Sequence, residues 1–288
     1  MNAIDRYIER WSSSLHSAAT QRLFVRSIFV FLFVDYLYLW PIRGLIWGEA
    51  SLLKPVQQPD SLLVNATAIL DHERAFALPA YYFMLAASLW CALGLRSNRA
   101  LRLAVFGVSL MLYYAAMPVF NASLLLFHLF VFFSLGMDED ARTPARRLVS
   151  NVAFAAARLQ LVLVYAVAAG YKWSGAMWLD GSAVYYALML DRYDALGVGG
   201  MLSGKWFILT GLTYMGLAYQ TAFPVLIWFK RFRTPLLIAA VSFHGCIAVV
   251  LNLPDFGIAM IFAYTVFLPN RYAEWILSLP ARIYSKGS

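Results

Sequence analysis

Two apolar runs decide the fold of this chain: SIFVFLFVDYLYLW at residues 27–40 and LLIAAVSFHGCIAVVL at residues 236–251. Each approaches the roughly 20 residues that an α-helix needs to cross the hydrocarbon core of a bilayer. Of the 288 residues, 62% are hydrophobic and 13% are charged, whereas soluble domains are about half apolar and about a quarter charged. The sequence therefore predicts an all-α, polytopic membrane protein built as a helical bundle.

The positive charge of the chain does not indicate a nucleic-acid partner. A net charge of +8 is explained by basic loops beside a membrane, because Lys and Arg collect on the cytoplasmic side of membrane proteins. Cys91 and Cys246 lie in separate apolar runs, and the spacings typical of metal ligands are absent from the sequence. We expect neither a disulfide nor a metal site.

About eight membrane-spanning helices follow from the apolar runs and from the prolines and basic pairs that bound them. The predicted spans are residues 22–40, 76–95, 100–118, 120–136, 152–172, 205–229, 235–253 and 255–269. Residues 41–75 and 173–204 are predicted to be long loops, the first with a short surface helix in NATAILDHERAF at 65–76. Since no internal repeat is visible, residues 1–288 are predicted to form a single domain.

The basic residues predict the orientation of these spans. If the N-terminus is inside, every inner segment carries a basic triplet, such as Arg96, Arg99 and Arg102. The outer segments hold far fewer basic residues, as the positive-inside rule requires. Both termini are therefore predicted to be cytoplasmic, and the two long loops and Lys172 to face the extracytoplasmic side of the inner membrane.

The first 21 residues are predicted to lie on the membrane surface as an amphipathic helix over residues 2–19. Apolar side chains recur there at helical spacing, opposite a face of charged ones. The apolar set is Ile4, Tyr7, Ile8, Trp11, Leu15 and Ala18. The alternative is a helix that packs on a cytoplasmic partner.

The fifth span carries a polar stripe. Arg158, Tyr165 and Lys172 are seven residues apart, so they lie on one helix face with a drift of only about 20° per step. Lys172 either extends to the outer interface, where Trp173 and Trp178 anchor the helix end, or it is a desolvated lysine. Desolvation disfavours the charged form, and the second alternative therefore makes Lys172 a candidate base.

Two histidines lie inside predicted spans. His244, near the middle of the seventh span, either bonds to a neighbouring helix or acts as a proton relay or ligand contact. We favour a structural role for His128 in the fourth span.

Asp35 and Gln220 complete the set of supporting polar residues. Asp35, in the outer half of the first span, is either an ion-pair partner for Lys172 or Arg43 or a structural residue. Gln220 is predicted to bridge helices, because a mid-span amide usually does so.

The segment LQLVLVYAVAAGYKWSGAMWLDGSAVYYAL at 159–188 resembles the signature of the HTTM family, the transmembrane domain shared with vitamin K-dependent gamma-carboxylase. The matching residues are Tyr165, Gly170, Lys172, Trp178, Gly181 and Ala183. Phe223–Pro224, His244 and Phe256 resemble the later helices of the family, and FNASLLLFHLFVFFSLGMDED at 120–140 resembles its fourth span less specifically.

The resemblance implies a function. The lysine at this position is similar to the base that deprotonates reduced vitamin K in the carboxylase, on the lumenal side. A reduced quinone as cofactor is implied by the resemblance alone. Two features depart from the carboxylase: no large domain follows the last span here, and Gln220 stands where many members have a glutamate. Short bacterial members resemble membrane proteins that mature sporulation-delaying peptide toxins with a small soluble companion.

Three functions follow as hypotheses. The first is a membrane-embedded enzyme or enzyme subunit that modifies or matures an exported peptide, with Lys172 as base and His244 nearby. The second is a non-enzymatic assembly or immunity factor that binds a peptide or partner protein, with Lys172 holding a carboxylate. The third and weaker is a transporter, and the lack of an internal repeat counts mildly against it.

Overall fold

All the regular secondary structure that the computed structural model describes is helical. The described residues are 3–48, 76–95, 98–116, 119, 122–138, 140–194 and 196–286, and no strand occurs among them. By its internal contacts the chain divides into two compact units. The first unit comprises Met1–Phe154 and Leu277–Ser288, and the second comprises Ala155–Ile276. Each unit is described by itself.

The first unit contains six complete helices among its described residues, together with the start of a seventh. They are α1 (Ala3–Ser13), α2 (Ala18–Tyr38), α3 (Arg43–Trp47), α4 (Ala77–Ala92), α5 (Arg99–Ala115), α6 (Ala122–Ser134) and the first part of α7 (Pro144–Trp173). A short 3-10 turn, Trp40–Ile42, separates α2 from α3. Pro41 lies in this turn; because proline cannot donate a helical hydrogen bond, the chain bends there by 45°.

Phenylalanines in contact with one another form part of the core of the first unit. Phe24 of α2 meets Phe130 of α6 edge to face, with ring centroids 5.1 Å apart. One side of α7 reaches the same core through Phe154, and Phe31 packs on Phe127 at 3.9 Å. Edge-to-face contacts of this kind add to the free energy gained by burying apolar area, so the aromatic residues fix how α2, α6 and the start of α7 pack.

The N-terminal helix ends earlier than the predicted range of 2–19. It stops at Ser13, and Ser17, with φ of 52°, precedes the start of α2 at Ala18. The early end has a cause in α7: the side-chain amide of Asn151 donates to the carbonyl oxygens of Trp11 and Ser14, both at 2.8 Å. Since these carbonyls are bound by a side chain, the helix does not continue through them.

The same asparagine holds the start of α2. Its Oδ1 accepts from the backbone N–H of His16 at 2.8 Å and from Nε2 of Gln21 at 3.1 Å. Ser150 donates to the Oε1 of Gln21 at 2.8 Å. We call this group, Asn151 with Gln21 and Ser150, the amide clamp, because it ties the turn between α1 and α2 to helix α7.

The second unit contains the rest of α7, the short helices α8 (Ala176–Leu179), α9 (Ala183–Leu188) and α10 (Val198–Leu202), and the longer helices α11 (Trp206–Leu226), α12 (Lys230–Val250) and α13 (Pro254–Ala263). Two 3-10 segments, Asp191–Tyr193 and Tyr264–Phe267, follow α9 and α13. Helix α14 (Asn270–Lys286) starts in this unit and ends in the first. The predicted loop 173–204 thus contains three short helices in its described part.

Two helices are long and apolar enough to cross a membrane, α7 and α12, and the bent pair of α2 with Trp40–Trp47 adds a third if it forms one span. Shorter apolar helices lie at Ala77–Ala92, Ser123–Ser134 and Pro254–Phe267. This composition is that of a membrane protein. Each of the eight predicted spans coincides with a described helix, but most of these helices fall short of the length and hydropathy of a full span. The surface helix predicted at 65–76 falls almost wholly outside the described residues.

Two helices begin earlier than predicted. Helix α7 starts at Pro144 rather than at residue 152, since Thr143 Oγ1 accepts from the N–H of Arg146 at 3.3 Å and proline is favoured at the first helical position. Helix α12 starts at Lys230 rather than at residue 235, and Pro235 is accommodated inside it. Hydropathy marks the apolar part of a helix only, so the polar first turns were missed.

Candidate functional site

The buried face of α7 carries the predicted polar stripe. Tyr165 is 2% exposed, while Arg158 and Lys172 are half-buried. The guanidinium of Arg158 donates through Nε to the carbonyl oxygen of Val266 at 3.0 Å and lies 5.6 Å from the ring of Phe267. Arg158 therefore holds the 3-10 segment after α13 against α7, which is a structural role.

Tyr165 belongs to a buried chain of polar groups. Its hydroxyl is hydrogen-bonded to the hydroxyl of Tyr264, which in turn bonds Nδ1 of His244 at 2.9 Å. His244 is 1% exposed. We call Tyr165, Tyr264 and His244 the phenol–imidazole cluster; it joins α7, the 3-10 segment and α12.

The hydrogen bonding of His244 depends on its tautomer. Nδ1 also lies 3.2 Å from the carbonyl oxygen of Ala240, one turn earlier in α12. A neutral imidazole nitrogen either accepts or donates, so with its proton on Nε2 it accepts from Tyr264, and with its proton on Nδ1 it donates to Ala240. Both tautomers are neutral, so the imidazole can make either hydrogen bond without a buried charge.

Close helix packing brings the cluster together. A Cβ added to Gly257 in α13 would lie 2.5 Å from both the carbonyl oxygen of His244 and the Cβ of Ala248. No side chain fits there, so glycine is required for α13 to approach α12. That approach brings Tyr264, at the end of α13, within reach of the imidazole of His244.

Aromatic rings surround the cluster. Phe223 stacks on Tyr165 with ring centroids 4.0 Å apart. Phe243 lies edge-on to the imidazole of His244 at 5.0 Å, and Phe256 lies tilted to it at 5.5 Å. Hydrogen bonds within this apolar environment are electrostatically stronger than in solution. Phe223 and Phe256, noted in the sequence, thus pack on or beside the cluster.

Tyr219 of α11 is a further member that the sequence analysis missed. Its ring meets that of Tyr165 edge to face at 5.9 Å. Its hydroxyl is buried near the other two phenols, but finds no partner with hydrogen-bond geometry among the described residues. Tyr219 also lines a cavity, so it separates the cluster from that space.

The cavity has a volume of about 490 Å³, within the range of small-molecule sites. It lies in the second unit between α11 and α12, under the short helices α9 and α10. Its walls are Val184, Leu188, Val198, Leu202, Leu212, Met215, Tyr219, Ala239, Ser242, Phe243, Cys246, Ile247, Val250 and Leu251. Neither Lys172 nor His244 belongs to these walls.

Lys172 lies at the end of α7, two turns beyond Tyr165 or about 10 Å along the helix axis. Its Nζ is 4.6 Å from the centroid of the Trp178 ring. Within the described part of the chain, no hydrogen bond or ion pair joins Lys172 to His244 or to a carboxylate. The contact with Trp178 favours the ammonium form, because a ring face attracts a cation.

The turn after α8 explains the glycine of the signature segment. Gly181 has φ of +83°, and a Cβ there would lie 2.7 Å from Thr210 Cγ2. Asp180 Oδ1 accepts from the N–H and the hydroxyl of Ser182 at 2.9 and 2.6 Å. These two bonds lower the pKa of Asp180. The turn thereby holds α8, which carries Trp178, against α11.

His128 belongs to a second buried chain, in the first unit. Its Nε2 lies 2.7 Å from Ser109 Oγ, and the Tyr36 hydroxyl lies 3.2 Å from the same atom. The hydroxyl of Tyr81 donates to the carbonyl of Tyr36 at 2.9 Å. These contacts link α2, α4, α5 and α6, and the structural role favoured for His128 stays a prediction.

Asp35 and Gln220, the other polar residues predicted to support the site, are not members of the phenol–imidazole cluster. Asp35 is half-buried in α2 of the first unit. Arg43, one partner predicted for it, donates to the Trp40 carbonyl at 2.5 Å and to the Tyr82 hydroxyl at 3.1 Å. Gln220 is 9% exposed, and its Oε1 has no hydrogen-bond partner among the described residues. Through this oxygen, Gln220 does not form the hydrogen bond between helices that the sequence predicted for its amide.

Comparison of the chain with protein-family models, with curated proteins and with solved structures finds no match. The likeness to the HTTM family therefore stays a prediction carried by the residues quoted above.

Proposed function

We propose that this chain is a membrane-embedded enzyme, or an enzyme subunit, that modifies or matures an exported peptide, with Lys172 as its base. The observation that carries the proposal is the phenol–imidazole cluster on the helix face that bears Lys172. Polar titratable groups inside a membrane are costly and are most often kept for function. Three of them in one hydrogen-bonded chain are hard to explain by packing alone.

The proposed topology is about eight spans with both termini in the cytoplasm of a bacterial cell. Two to three helices are long and apolar enough to span, and the shorter ones need protein neighbours or local thinning of the bilayer. The basic triplets of the inner segments support this orientation. Lys172 would then act on the extracytoplasmic face, where an exported peptide, and a small companion protein if one exists, can reach it.

In the proposed reaction, the neutral amine of Lys172 takes a proton from the substrate. The Trp178 ring, 4.6 Å from Nζ, stabilises the ammonium that forms. The same contact lowers the neutral fraction before the reaction, so a substrate must displace it or desolvate the amine further. The phenol–imidazole cluster, through Tyr165, fixes the rotation of α7 and thus the direction in which the polar stripe of this helix faces.

A reduced quinone does not fit the cavity as a substrate for this base. The cavity walls include Tyr219, Ser242 and Cys246 as their polar side chains, but neither Lys172 nor Trp178. A quinone ring held between α11 and α12 would therefore not meet the amine. We derive no step through a quinone.

The test is the Lys172→Ala variant, expressed at the wild-type level in the membrane. Mass spectrometry of exported peptides should show that a modified or cleaved product falls at least tenfold in the variant. The matched control is Lys205→Ala, which removes an exposed lysine of the same outer region and should leave the product unchanged. Equal product from Lys172→Ala and wild type would sink the proposal.

A second function is favoured by the cation–π contact itself. A lysine held in its charged form is suited to bind a carboxylate of a peptide or partner protein, as an assembly or immunity factor requires. Lys172→Arg separates the two functions, since arginine keeps the charge but does not give up its proton. Loss of product in Lys172→Arg supports base chemistry, and retained activity supports binding.

A further inference from the structure

We propose that the cavity between α11 and α12 binds the hydrocarbon chain of a fatty-acyl lipid. Its shape is the first argument. The wall on α12 is a stripe at helical spacing from Ala239 through Cys246 to Leu251, which extends about 18 Å at 1.5 Å per residue. The wall on α11 runs from Leu212 to Tyr219. The space is therefore a channel along two neighbouring helices.

The chemistry of the walls is the second argument. Of the fourteen lining residues, three carry polar side-chain atoms, Tyr219, Ser242 and Cys246, and none is charged. A charged or strongly polar ligand would lose its hydration there without gaining partners. A saturated or singly unsaturated chain has no polar group to desolvate, so it occupies such walls without that cost.

The direction of the channel is the third argument. Helix α12 is one of the two helices long and apolar enough to span, so a channel parallel to it runs along the bilayer normal, as acyl chains do. The short helices α9 and α10 cover one end with Val184, Leu188, Val198 and Leu202. Leu212, Met215, Ser242 and Cys246 in the walls are exposed, so the channel is open on one side and a chain can enter it from the surrounding lipid.

The bound chain would end beside the phenol–imidazole cluster. Tyr219 lies at the inner end of the α11 stripe, and its ring touches that of Tyr165. An occupied channel therefore packs on the wall that holds the cluster in place. This inference rests on the transmembrane placement of α12 that the proposed function assumes, but it does not need Lys172 to be a base.

The experiment maps where a lipid chain lies on α12. The full chain is reconstituted in palmitoyl-oleoyl phosphatidylcholine vesicles that contain a trace of phosphatidylcholine with a mid-chain diazirine. After illumination, cross-linked residues are located by mass spectrometry. We expect labelling of Phe243, Ile247 and Val250, which line the cavity and are half-buried, to exceed labelling of the outward residue Val241 at least threefold.

Val241 is 46% exposed and does not line the cavity. It reports ordinary surrounding lipid. Labelling that is equal on both faces of α12, or stronger on the outward face, would overturn the proposal. A parallel arm uses diazirine-bearing palmitic acid, and preference for this probe over the phospholipid would identify a free fatty acid as the source of the chain.

A pair of variants on α12 tests the site directly. Val250→Trp fills the channel and should reduce labelling of Phe243 and Ile247 at least threefold, whereas Val241→Trp adds the same bulk outside and should not. Equal labelling in both variants would contradict the proposal, even where wild-type labelling favours the channel. Lys172→Ala should keep the wild-type pattern, so failure of the proposed reaction and failure of this site give different results.

Discussion

Replacing Tyr264 with phenylalanine tests the phenol–imidazole cluster by removing a single oxygen atom from it. The hydroxyl has two buried partners, the Tyr165 hydroxyl and His244 Nδ1. Side-chain hydrogen bonds in membrane proteins average about 0.6 kcal/mol and reach about 1.7 kcal/mol. Loss of two therefore predicts a destabilisation of about 1 to 3 kcal/mol, since the ring itself stays and leaves no cavity.

The measurement is reversible unfolding in mixed micelles or bicelles. The control is Tyr171→Phe, because Tyr171 lies in α7 with Tyr165, is 76% exposed and should change stability by less than about 0.5 kcal/mol. A double-mutant cycle between Tyr165→Phe and Tyr264→Phe should give a coupling energy of at least about 0.5 kcal/mol. Additive effects, or equal costs for Tyr264→Phe and the control, would refute the hydrogen-bonded chain.

Three further predictions concern the supporting structure. Gly257→Ala should lower stability by about 2 kcal/mol or more, because its Cβ collides with backbone, whereas Gly245→Ala, with open space around it, should be neutral in the same unfolding assay. Asn151→Ala should expose the turn at residues 14–17 to protease at least tenfold faster, because it removes the amide clamp. Hydrogen exchange at the N–H of Ser182 should speed up, beyond the intrinsic pH effect, as pH falls below 3.8 and through the lowered pKa of Asp180, because Asp180 then becomes protonated.

Exchange at Ser182 is expected to speed up at low pH because Ser182 donates two hydrogen bonds to the carboxylate of Asp180. A carboxyl whose pKa is lowered in the folded protein contributes stability above its ordinary pKa of 3.8, and loses it as pH falls through the folded value. If the exchange rate at Ser182, corrected for the intrinsic pH effect, does not change with pH, this prediction is wrong. Equal stability of the two glycine variants would contradict the prediction for Gly257. Equal rates of cleavage of Asn151→Ala and wild type would contradict the prediction for the amide clamp.

The sequence is sufficient to locate most helices. Apolar length alone predicts 76–95 for a helix found at Ala77–Ala92, and 205–229 for one found at Trp206–Leu226. It does not predict the polar extensions, since the first turns of α7 and α12 are basic and hydropathy does not mark them. The early end of α1 depends on Asn151, more than 130 residues away, and no local pattern carries that information.

The sequence identified some members of the phenol–imidazole cluster and missed others. His244 stood out because an ionisable group is rare in a span, and Tyr165 because of its heptad spacing with Lys172. Tyr264 and Tyr219 did not stand out, as the chain has 17 tyrosines and membrane helices use them widely. The signal that distinguishes them is contact with the imidazole and with Tyr165, which appears only in three dimensions.

The phenol–imidazole cluster is built from groups that carry no formal charge when the imidazole is neutral. A transmembrane voltage acts on net charge, by about 2.3 kcal/mol per elementary charge for each 100 mV. An ion pair whose partners sit at different depths would feel that force, but two phenols and a neutral ring do not. The hydrogen bonds of the cluster should therefore hold equally well in energised and in depolarised cells, and only a proton passing through the cluster would sense the difference.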